Sequence, residues 1–311
     1  MKPRKVVNKE QFGRVAVVMG GLSAEKEISI NSGTAVFNAL ERQGVDVIAT
    51  DVGGNPIEGL SGKDIDRVFN MIHGRGGEDG VLQAVLESMG LPYTGSGVLA
   101  SALTMDKLRT KLCWRGAGLP TPNWFVLKDE NDIDPCIAEI GFPMIVKPAL
   151  EGSSIGMSKA NNKAELQRAL IVASEFQSEV YAEAWVNGSE YTVAMLNGEM
   201  LPIIRLQTPN EFYDFEAKYR SDNTLYHCPC GLTQAEEEDL TKLAKNACDV
   251  VGISGWGRVD VFIDEIGNAQ LIEVNTVPGM TDHSLVPMAA KAKGMAFDEL
   301  VWRILETSLV K

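Results

Sequence analysis

The sequence predicts a chain that is α/β in its first third and α+β in the remainder. Two observations carry this. Up to about residue 94, short apolar runs alternate with amphipathic helical stretches, the pattern of an open, mostly parallel sheet. From Trp124 onward the runs come as strand pairs with helices interspersed, the pattern of antiparallel sheets. A third observation, a polar-faced hairpin near the C-terminus, points to chemistry.

The elements follow in order. Residues 1–12 are basic and polar and read as a flexible arm, with no apolar stretch long enough for a signal peptide. Arg14–Met19 is a buried strand ending at Gly20-Gly21. A helix follows from about Ser29 to Arg42, with Val36, Ala39 and Leu40 on its inner face. Val45–Asp51 and Val68–Ile72 are further strands. The second runs into His73-Gly74-Arg75-Gly76-Gly77-Glu78-Asp79-Gly80, and a helix covers about Val81–Met89. Pro92-Tyr93-Thr94 is a short strand. In such sheets ligands bind beyond the carboxyl ends of the strands, where both glycine runs lie. A helix from Ser101 to Arg115 precedes a boundary at Pro120-Thr121-Pro122. Strands are then expected at Trp124–Leu127, Met144–Lys147, Val180–Glu183, Thr192–Leu196 and Ile203–Leu206. Helices are expected at about 132–140, 162–174, 234–251 and 297–308.

Gly257–Asp264 and Leu271–Asn275 alternate with strand period on either side of Gly267-Asn268. A four-residue loop, 265–268, places Arg258 opposite Asn275 and Asp260 opposite Glu273. Val259, Val261, Ile263, Ile272 and Val274 then share a core-facing side. The other side gathers Arg258, Asp260, Glu273 and Asn275. Two carboxylates and an amide are hard oxygen donors suited to Mg²⁺ that also binds nucleotide phosphates, and the arginine suits charge developing in a transition state. An ordinary solvated hairpin face is the plain alternative, but this one carries no lysine or threonine.

Composition sets the bounds. The 311 residues suggest two or three domains, and 45% hydrophobic with 23% charged residues is ordinary for a globular protein. A net charge of −13 argues against nucleic acid and anionic membranes as partners. No apolar run approaches membrane-spanning length. The five cysteines are scattered without a C-x-x-C, which is read as a reducing cytoplasm.

Gly152-Ser153-Ser154-Ile155-Gly156 matches the G-x-S-x-G nucleophile pattern, which requires a helix directly afterwards. Met157–Asn162 is not an amphipathic helix, so the better reading is a glycine–serine loop whose N–H groups wrap phosphates. Lys147 just before it favours that reading. Gly95-Ser96-Gly97 lacks the context of a dinucleotide fingerprint, and there is no P-loop and no H-E-x-x-H. The three histidines are dispersed; His73, inside the glycine run, stands out. Glu25 is either a helix-start acid or a carboxylate for a ligand's ammonium. Lys107, Lys147 and Lys218, taken with Glu273 and Asn275, make the complement of a triphosphate.

In this order the motifs closely resemble those of the D-alanine–D-alanine ligases, ATP-grasp enzymes of peptidoglycan synthesis, from about Gly13 to Leu309. They are Gly20-Gly21-Leu22-Ser23-Ala24-Glu25, His73 to Gly80, Tyr93-Thr94-Gly95-Ser96-Gly97, Met105-Asp106-Lys107, Val146-Lys147-Pro148, Glu151-Gly152-Ser153-Ser154, Glu216-Ala217-Lys218-Tyr219, Gly257-Arg258-Val259-Asp260 and Glu273-Val274-Asn275-Thr276. The resemblance implies an ATP-grasp fold with an N-terminal open parallel α/β domain. It implies ATP and two Mg²⁺ (or Mn²⁺) as cofactors, D-alanine as substrate, and a homodimer.

By position, the resemblance implies that Glu25 holds the first D-alanine's ammonium and forms a hydrogen-bonded triad with Ser153 and Tyr219. Arg258 and the Gly279 N–H would stabilise a tetrahedral oxyanion, and His73 would line the substrate site. Ser284 and Leu285 would receive the second carboxylate. Asp260, Glu273 and Asn275 would bind the metals, Lys107, Lys147 and Lys218 the phosphates, and Glu183 and Glu190 would face adenine and ribose. The polar segment Gln207–Tyr226 is a lid candidate. Two departures stand out: Ala184 where the family often has lysine, and Val277 and Asp282 where serine is common. The expected units are residues 13–98, a central unit 99–187, and a C-terminal unit 188–311 carrying the metal and substrate site. Another ATP-grasp carboxylate–amine ligase and a non-catalytic nucleotide-binding regulator are the competing readings.

Overall fold

The computed structural model describes residues 8–208, 224–281 and 283–309. The lid candidate's central part, with Lys218 and Tyr219, and Asp282 lie outside the described residues.

The first elements are β1 (Val15–Met19), α1 (Lys26–Arg42), β2 (Val47–Asp51), α2 (Pro56–Leu60), β3 (Arg67–Asn70) and α3 (Val81–Ser88). They form a three-stranded parallel sheet in the order β2-β1-β3. The strand expected at 92–94 is present as a parallel bridge between Tyr93 and Val68. Helices α4 (Val98–Met105) and α5 (Lys107–Gly116) come next. A four-stranded antiparallel sheet, β4-β7-β5-β6, is built from β4 (Trp124–Leu127), β5 (Met144–Pro148), β6 (Ser158–Ala160) and β7 (Val180–Ala184), with α6 (Ile133–Ile140) and α7 (Lys163–Ser174) beside it. The third sheet holds β8 (Gly188–Leu196), β9 (Glu199–Met200), β10 (Ile204–Gln207), β11 (Leu225–His227), β12 (Trp256–Asp264) and β13 (Ala269–Asn275), in the order β11-β10-β8-β12-β13 with β9 on β8. Helix α8 (Gln234–Val251) packs on it, and α9 (Leu285–Ala292) and α10 (Phe297–Glu306) close the chain.

The cores explain the assembly. Val15, Val17 and Val36 of the first unit share one apolar cluster with Ala194, Trp256, Leu285 and Ile304, so the parallel sheet is welded to the third sheet. Ala100 and Trp114 join Val193, Val259 and Leu271 in a second cluster, which sets α4 and α5 against the third sheet. The four-stranded sheet has its own core around Val146, Leu166 and Ala182. At about 25 cal/mol per Å² of apolar area, each cluster makes its packing strongly favourable.

Three expectations are corrected. The arm over 1–12 is shorter, because Lys9–Phe12 form a 3-10 turn. Phe12 is fully buried, its ring 4.9 Å from that of Trp302, and its carbonyl accepts from Arg67 Nε. The single helix Ser101–Arg115 is two. Asp106 has an extended backbone and its carboxylate accepts from the Arg109 N–H at 3.0 Å, capping a new helix. The hairpin pairs Arg258 with Asn275 and Asp260 with Glu273 as expected, but Val261 pairs with Leu271. A bulge at Ile272 absorbs the extra residue. Leu271 therefore fills the core, while Ile272 lines a pocket beside Asp260 and Glu273.

Candidate active site

Two cavities meet at the β12–β13 hairpin. The larger, of about 540 Å³, lies between the parallel sheet's loops and the third sheet. Glu25, at the N-cap of α1, faces into it and is 8% exposed. The Ser153 hydroxyl donates a short hydrogen bond to Glu25 Oε1 across 128 residues of sequence. Ser153 and Ser154 have φ of 51° and 60°, left-handed values uncommon for non-glycine residues. Backbone strain concentrated here fits a functional turn. A Cβ on Gly152 would lie 2.9 Å from Glu25 Oε2, and one on Gly74 2.7 Å from it, so both glycines allow the close approach. The G-x-S-x-G segment leads into strand β6 rather than a helix, so it is no nucleophile elbow.

The floor is a network of backbone and side chains. Glu78 accepts from the N–H groups of Gly74 at 2.8 Å and Val277 at 2.9 Å, joining the glycine run to the segment after β13. Burial and the nearby Glu25 raise its carboxyl to about 7. His73 is buried and lies 3.5 Å from Ser32 Oγ. Desolvation lowers its pKa and keeps it neutral at physiological pH, despite the pull of Glu25. Ser32 Oγ also accepts from the Met280 N–H at 3.0 Å. Ser284 is the N-cap of α9, but its hydroxyl accepts from the Thr281 N–H at 2.9 Å instead of capping the helix. The first turn of α9, starting at Leu285, thus offers its N–H groups and positive dipole end to the cavity. A Cβ on Gly279 would lie 2.8 Å from Ser284 Oγ, so a side chain there would press on the hydroxyl that receives the Thr281 N–H.

The second cavity lies between the four-stranded sheet and the third sheet, lined by Lys107, Lys147, Glu183, Glu190, Asp260 and Glu273 among others. Lys147 Nζ is 2.7 Å from Glu183 Oε1, and Lys107 Nζ is 3.5 Å from Glu273 Oε2. Burial alone would raise Glu183, but Lys111 and Lys147 outweigh it and hold the carboxyl below its usual range. Ala184 and Trp185 also line this cavity.

The hairpin face carries its own ion pair. Arg258 donates Nε to Asp260 Oδ1 at 2.8 Å and Nη2 to Oδ2 at 2.7 Å, a bidentate fork. Thr192 Oγ1 donates to Oδ1 at 2.8 Å and Asn275 Nδ2 to Oδ2 at 3.1 Å. Among the described residues no group of three or more His, Cys, Asp or Glu side chains could hold a metal alone. Asp260, Glu273 and Asn275 are too few donors for an all-protein cage. They fit instead a hard cation that completes its shell with phosphate oxygens and water.

Of the expected residues, Glu25, His73, Ser153, Arg258, Asn275, Gly279, Ser284 and Leu285 all line the first cavity. Lys107, Lys147, Glu183, Glu190, Asp260 and Glu273 line the second. Two neighbours went unassigned in the sequence. Glu78 sits inside the quoted glycine run, where an acid between tight turns is a usable signal. Lys111 is fully buried with Nζ 2.6 Å from Glu183 Oε2. Its only trace in the sequence is the spacing of four from Lys107 on one helix.

Two antiparallel sheets closing on a pocket of lysines and acidic donors, beside an open parallel unit, define an ATP-grasp protein. The D-ala D-ala ligase C-terminus family matches residues 113–306, and the D-ala D-ala ligase N-terminus family matches residues 55–96. A D-alanine–D-alanine ligase from Methylococcus capsulatus is 60% identical over 98% of this chain and 99% of its own. One from Pseudomonas putida is 54% identical over 99% and 97%. The crystal structure of a Bacillus anthracis D-alanine–D-alanine ligase superposes with a TM-score of 0.82 in its complex with ATP, at 35% identity over 95% of this chain and 96% of that one. The chain belongs to the D-alanine–D-alanine ligase family.

Proposed function

We infer that this chain is an ATP-dependent ligase that joins two D-alanine molecules into D-alanyl-D-alanine for peptidoglycan precursor synthesis. The observation that carries the reading is the division of the hairpin face. Arg258 and Asn275 wall the larger cavity, beside Glu25, while Asp260 and Glu273 wall the lysine-lined one. A group bound in the first cavity is thereby brought against a phosphate bound in the second.

In this reading the carboxylate of the first D-alanine attacks the γ-phosphorus of ATP, forming an acyl phosphate and releasing ADP. The neutral amine of the second D-alanine attacks the acyl carbon. The tetrahedral intermediate collapses, the C–O bond to phosphate breaks, the nitrogen gives up a proton to the departing phosphate or to water, and inorganic phosphate leaves. Glu25, oriented by Ser153, holds the first ammonium. Arg258 and the Gly279 N–H stabilise the oxyanion. His73 shapes the first subsite, and Ser284 with the Leu285 N–H receives the second carboxylate. Lys107, Lys147 and Lys218 bind phosphates, and Glu183 and Glu190 face adenine and ribose. Asp260, Glu273 and Asn275 would hold two Mg²⁺, which Mn²⁺ can replace. When bound, these ions neutralise phosphate charge. Tyr219 completes the triad with Ser153 and Glu25. Residues 13–98 supply the first substrate's binding loops, 99–187 grip the nucleotide, and 188–311 carry the oxyanion and metal donors. The protein works in the cytoplasm, as a homodimer. Among the described residues no helix is long and apolar enough to cross a membrane.

The test is phosphate release from Mg-ATP with D-alanine or L-alanine, with chromatography of the product. Release with D-alanine alone and a D-alanyl-D-alanine product support the reading. Release independent of D-alanine, or none, refutes it.

A further inference from the structure

Helix α5 packs Trp114 into the core of the third sheet, and at Lys111 it places a charged side chain where an apolar one would be expected. Lys111 is fully buried. Its ammonium reaches three elements at once. Nζ lies 2.6 Å from Glu183 Oε2 on β7 of the four-stranded sheet and 2.5 Å from Thr121 Oγ1 in the linker before β4. Thr121 Oγ1 in turn donates to the Leu271 carbonyl of β13 at 2.8 Å, and the Leu271 N–H donates to Pro120 O at 3.0 Å. The Trp124 ring sits 5.1 Å from the same ammonium. Glu183 thus meets an ammonium at each oxygen at the wall of the nucleotide cavity. Lys147 donates a hydrogen bond to Oε1, and Lys111 faces Oε2 as a close ion pair without hydrogen-bond alignment, which leaves a lone pair of Oε2 unused.

Burying an ammonium is expensive unless it is paired. Burial depresses Lys111 to about 8, while Glu183 stays below its ordinary range. The pair survives because each charge needs the other. We propose that Lys111 is a positioning residue that gives the enzyme its preference for adenine, by holding the Glu183 carboxylate as a fixed acceptor for the 6-amino group of the base. This rests on the reading that Glu183 faces the adenine. A 6-oxo base would set its carbonyl oxygen against the same carboxylate, acceptor against acceptor, and be rejected. Without Lys111, Glu183 keeps only Lys147 and turns toward it, so the acceptor loses its fixed direction.

The experiment measures kcat and KM for ATP and for ITP, which differ at position 6 of the base, at saturating D-alanine. Lys111→Met should cut the ATP-over-ITP preference by about tenfold, the worth of one hydrogen bond to a charged group. The loss should appear in the KM for ATP, with kcat at saturation retained. Glu183→Gln should show a comparable loss of preference. In the double variant Lys111→Met/Glu183→Gln the Lys111 ammonium and the carboxylate it faces are removed together, while Lys147 faces the amide as it does in Glu183→Gln, so its preference should equal that of Glu183→Gln alone. The double variant also decides the matter if Lys111→Met does not fold. An unchanged ATP-to-ITP ratio in Glu183→Gln would sink the adenine reading of Glu183. A shifted ratio there, with no shift in Lys111→Met or a further shift in the double variant, would overturn the role of Lys111 and leave that reading standing.

Discussion

Ser153→Ala removes a hydroxyl that donates from the glycine–serine loop to Glu25. Both residues are 8% exposed, so the bond is shielded from water and its acceptor is a carboxylate. Such bonds contribute about 1.5–3 kcal/mol, which converts to a loss of about ten- to a hundredfold in kcat/KM for D-alanine. The backbone supplies a control. Ser153 sits at φ 51°, where any Cβ is strained. Alanine keeps that strain and glycine relieves it, so Ser153→Gly should be more stable than Ser153→Ala by about 1 kcal/mol. If the hydroxyl alone matters, both variants lose the same activity while differing in thermal stability. A coupled phosphate-release assay across a D-alanine titration, alongside a thermal melt, reads both quantities. Retention of kcat/KM within about twofold in Ser153→Ala would refute the role, because it falls below the lower bound of a charge-assisted bond. Trapping of a covalent acyl-Ser153 adduct would refute it from the other side.

Three further outcomes are expected. Glu273→Gln should melt within about 1 kcal/mol of the parent, since its partly exposed pair with Lys107 contributes little. Its turnover should fall by orders of magnitude at ordinary Mg²⁺; near-normal turnover rules the metal role out. Glu78 has a folded carboxyl near 7 against an ordinary 4.5, so the folded state binds more protons between those values. Its contribution to stability is therefore full below about pH 4.5 and declines by about 3 kcal/mol as pH rises to 7. Denaturant melts of Glu78→Gln should lack that slope, and an identical slope in both proteins counts against it. Tyr219→Phe should gain D-alanyl-D-lactate, most clearly at lower pH where the competing amine is protonated. Substantial depsipeptide from the unmodified enzyme, or none from the variant at any pH, contradicts the role given to Tyr219.

What the sequence made legible follows from periodicity. Strands Val15–Met19 and Trp124–Leu127 and helix Gln234–Val251 have strong patterns and clear caps, and the structure places them as expected. The Thr233–Glu236 capping box marks the start of that helix outright. The hairpin's polar face was legible because period two survives a local insertion on either side of it. The bulge was not. Leu271 and Ile272 are both apolar, so nothing in the pattern says which one turns inward, and only packing under Val259 and Val261 decides. The break at Asp106 was hidden by continuous helical propensity on both sides. Lys111 was hidden for a deeper reason. Hydropathy assigns a lysine to solvent, and its burial becomes sensible only once Glu183, seventy-two residues later in sequence (183 − 111), is folded against it.

The charges of this site are already engaged with one another before any nucleotide arrives. Arg258 grips Asp260, Lys107 lies against Glu273, and Lys147 with Lys111 flanks Glu183. Binding is then an exchange of partners. In the proposed function, phosphate oxygens would take the place of Glu273 beside Lys107 and join Glu183 beside Lys147, and Glu273 would turn to the cations that accompany the phosphates. An exchange of this kind avoids exposing a naked charge to a dry cavity, which would cost several kcal/mol per ion. It also couples the two cavities. Arg258 belongs to the wall of one and its carboxylate partner to the wall of the other. In the proposed function, a cation held by Asp260 would compete with Arg258 for the same oxygens, leaving the guanidinium available to charge forming in the first cavity. A carboxylate at position 260 would thus serve in two ways that an amide cannot: as the bidentate partner of Arg258 and as a charged donor to a cation. Asp260→Asn should accordingly weaken nucleotide binding and oxyanion stabilisation together. The drop in kcat with D-alanine should exceed the drop in nucleotide affinity measured by calorimetry. Equal drops in the two would mean that Asp260 serves the nucleotide alone.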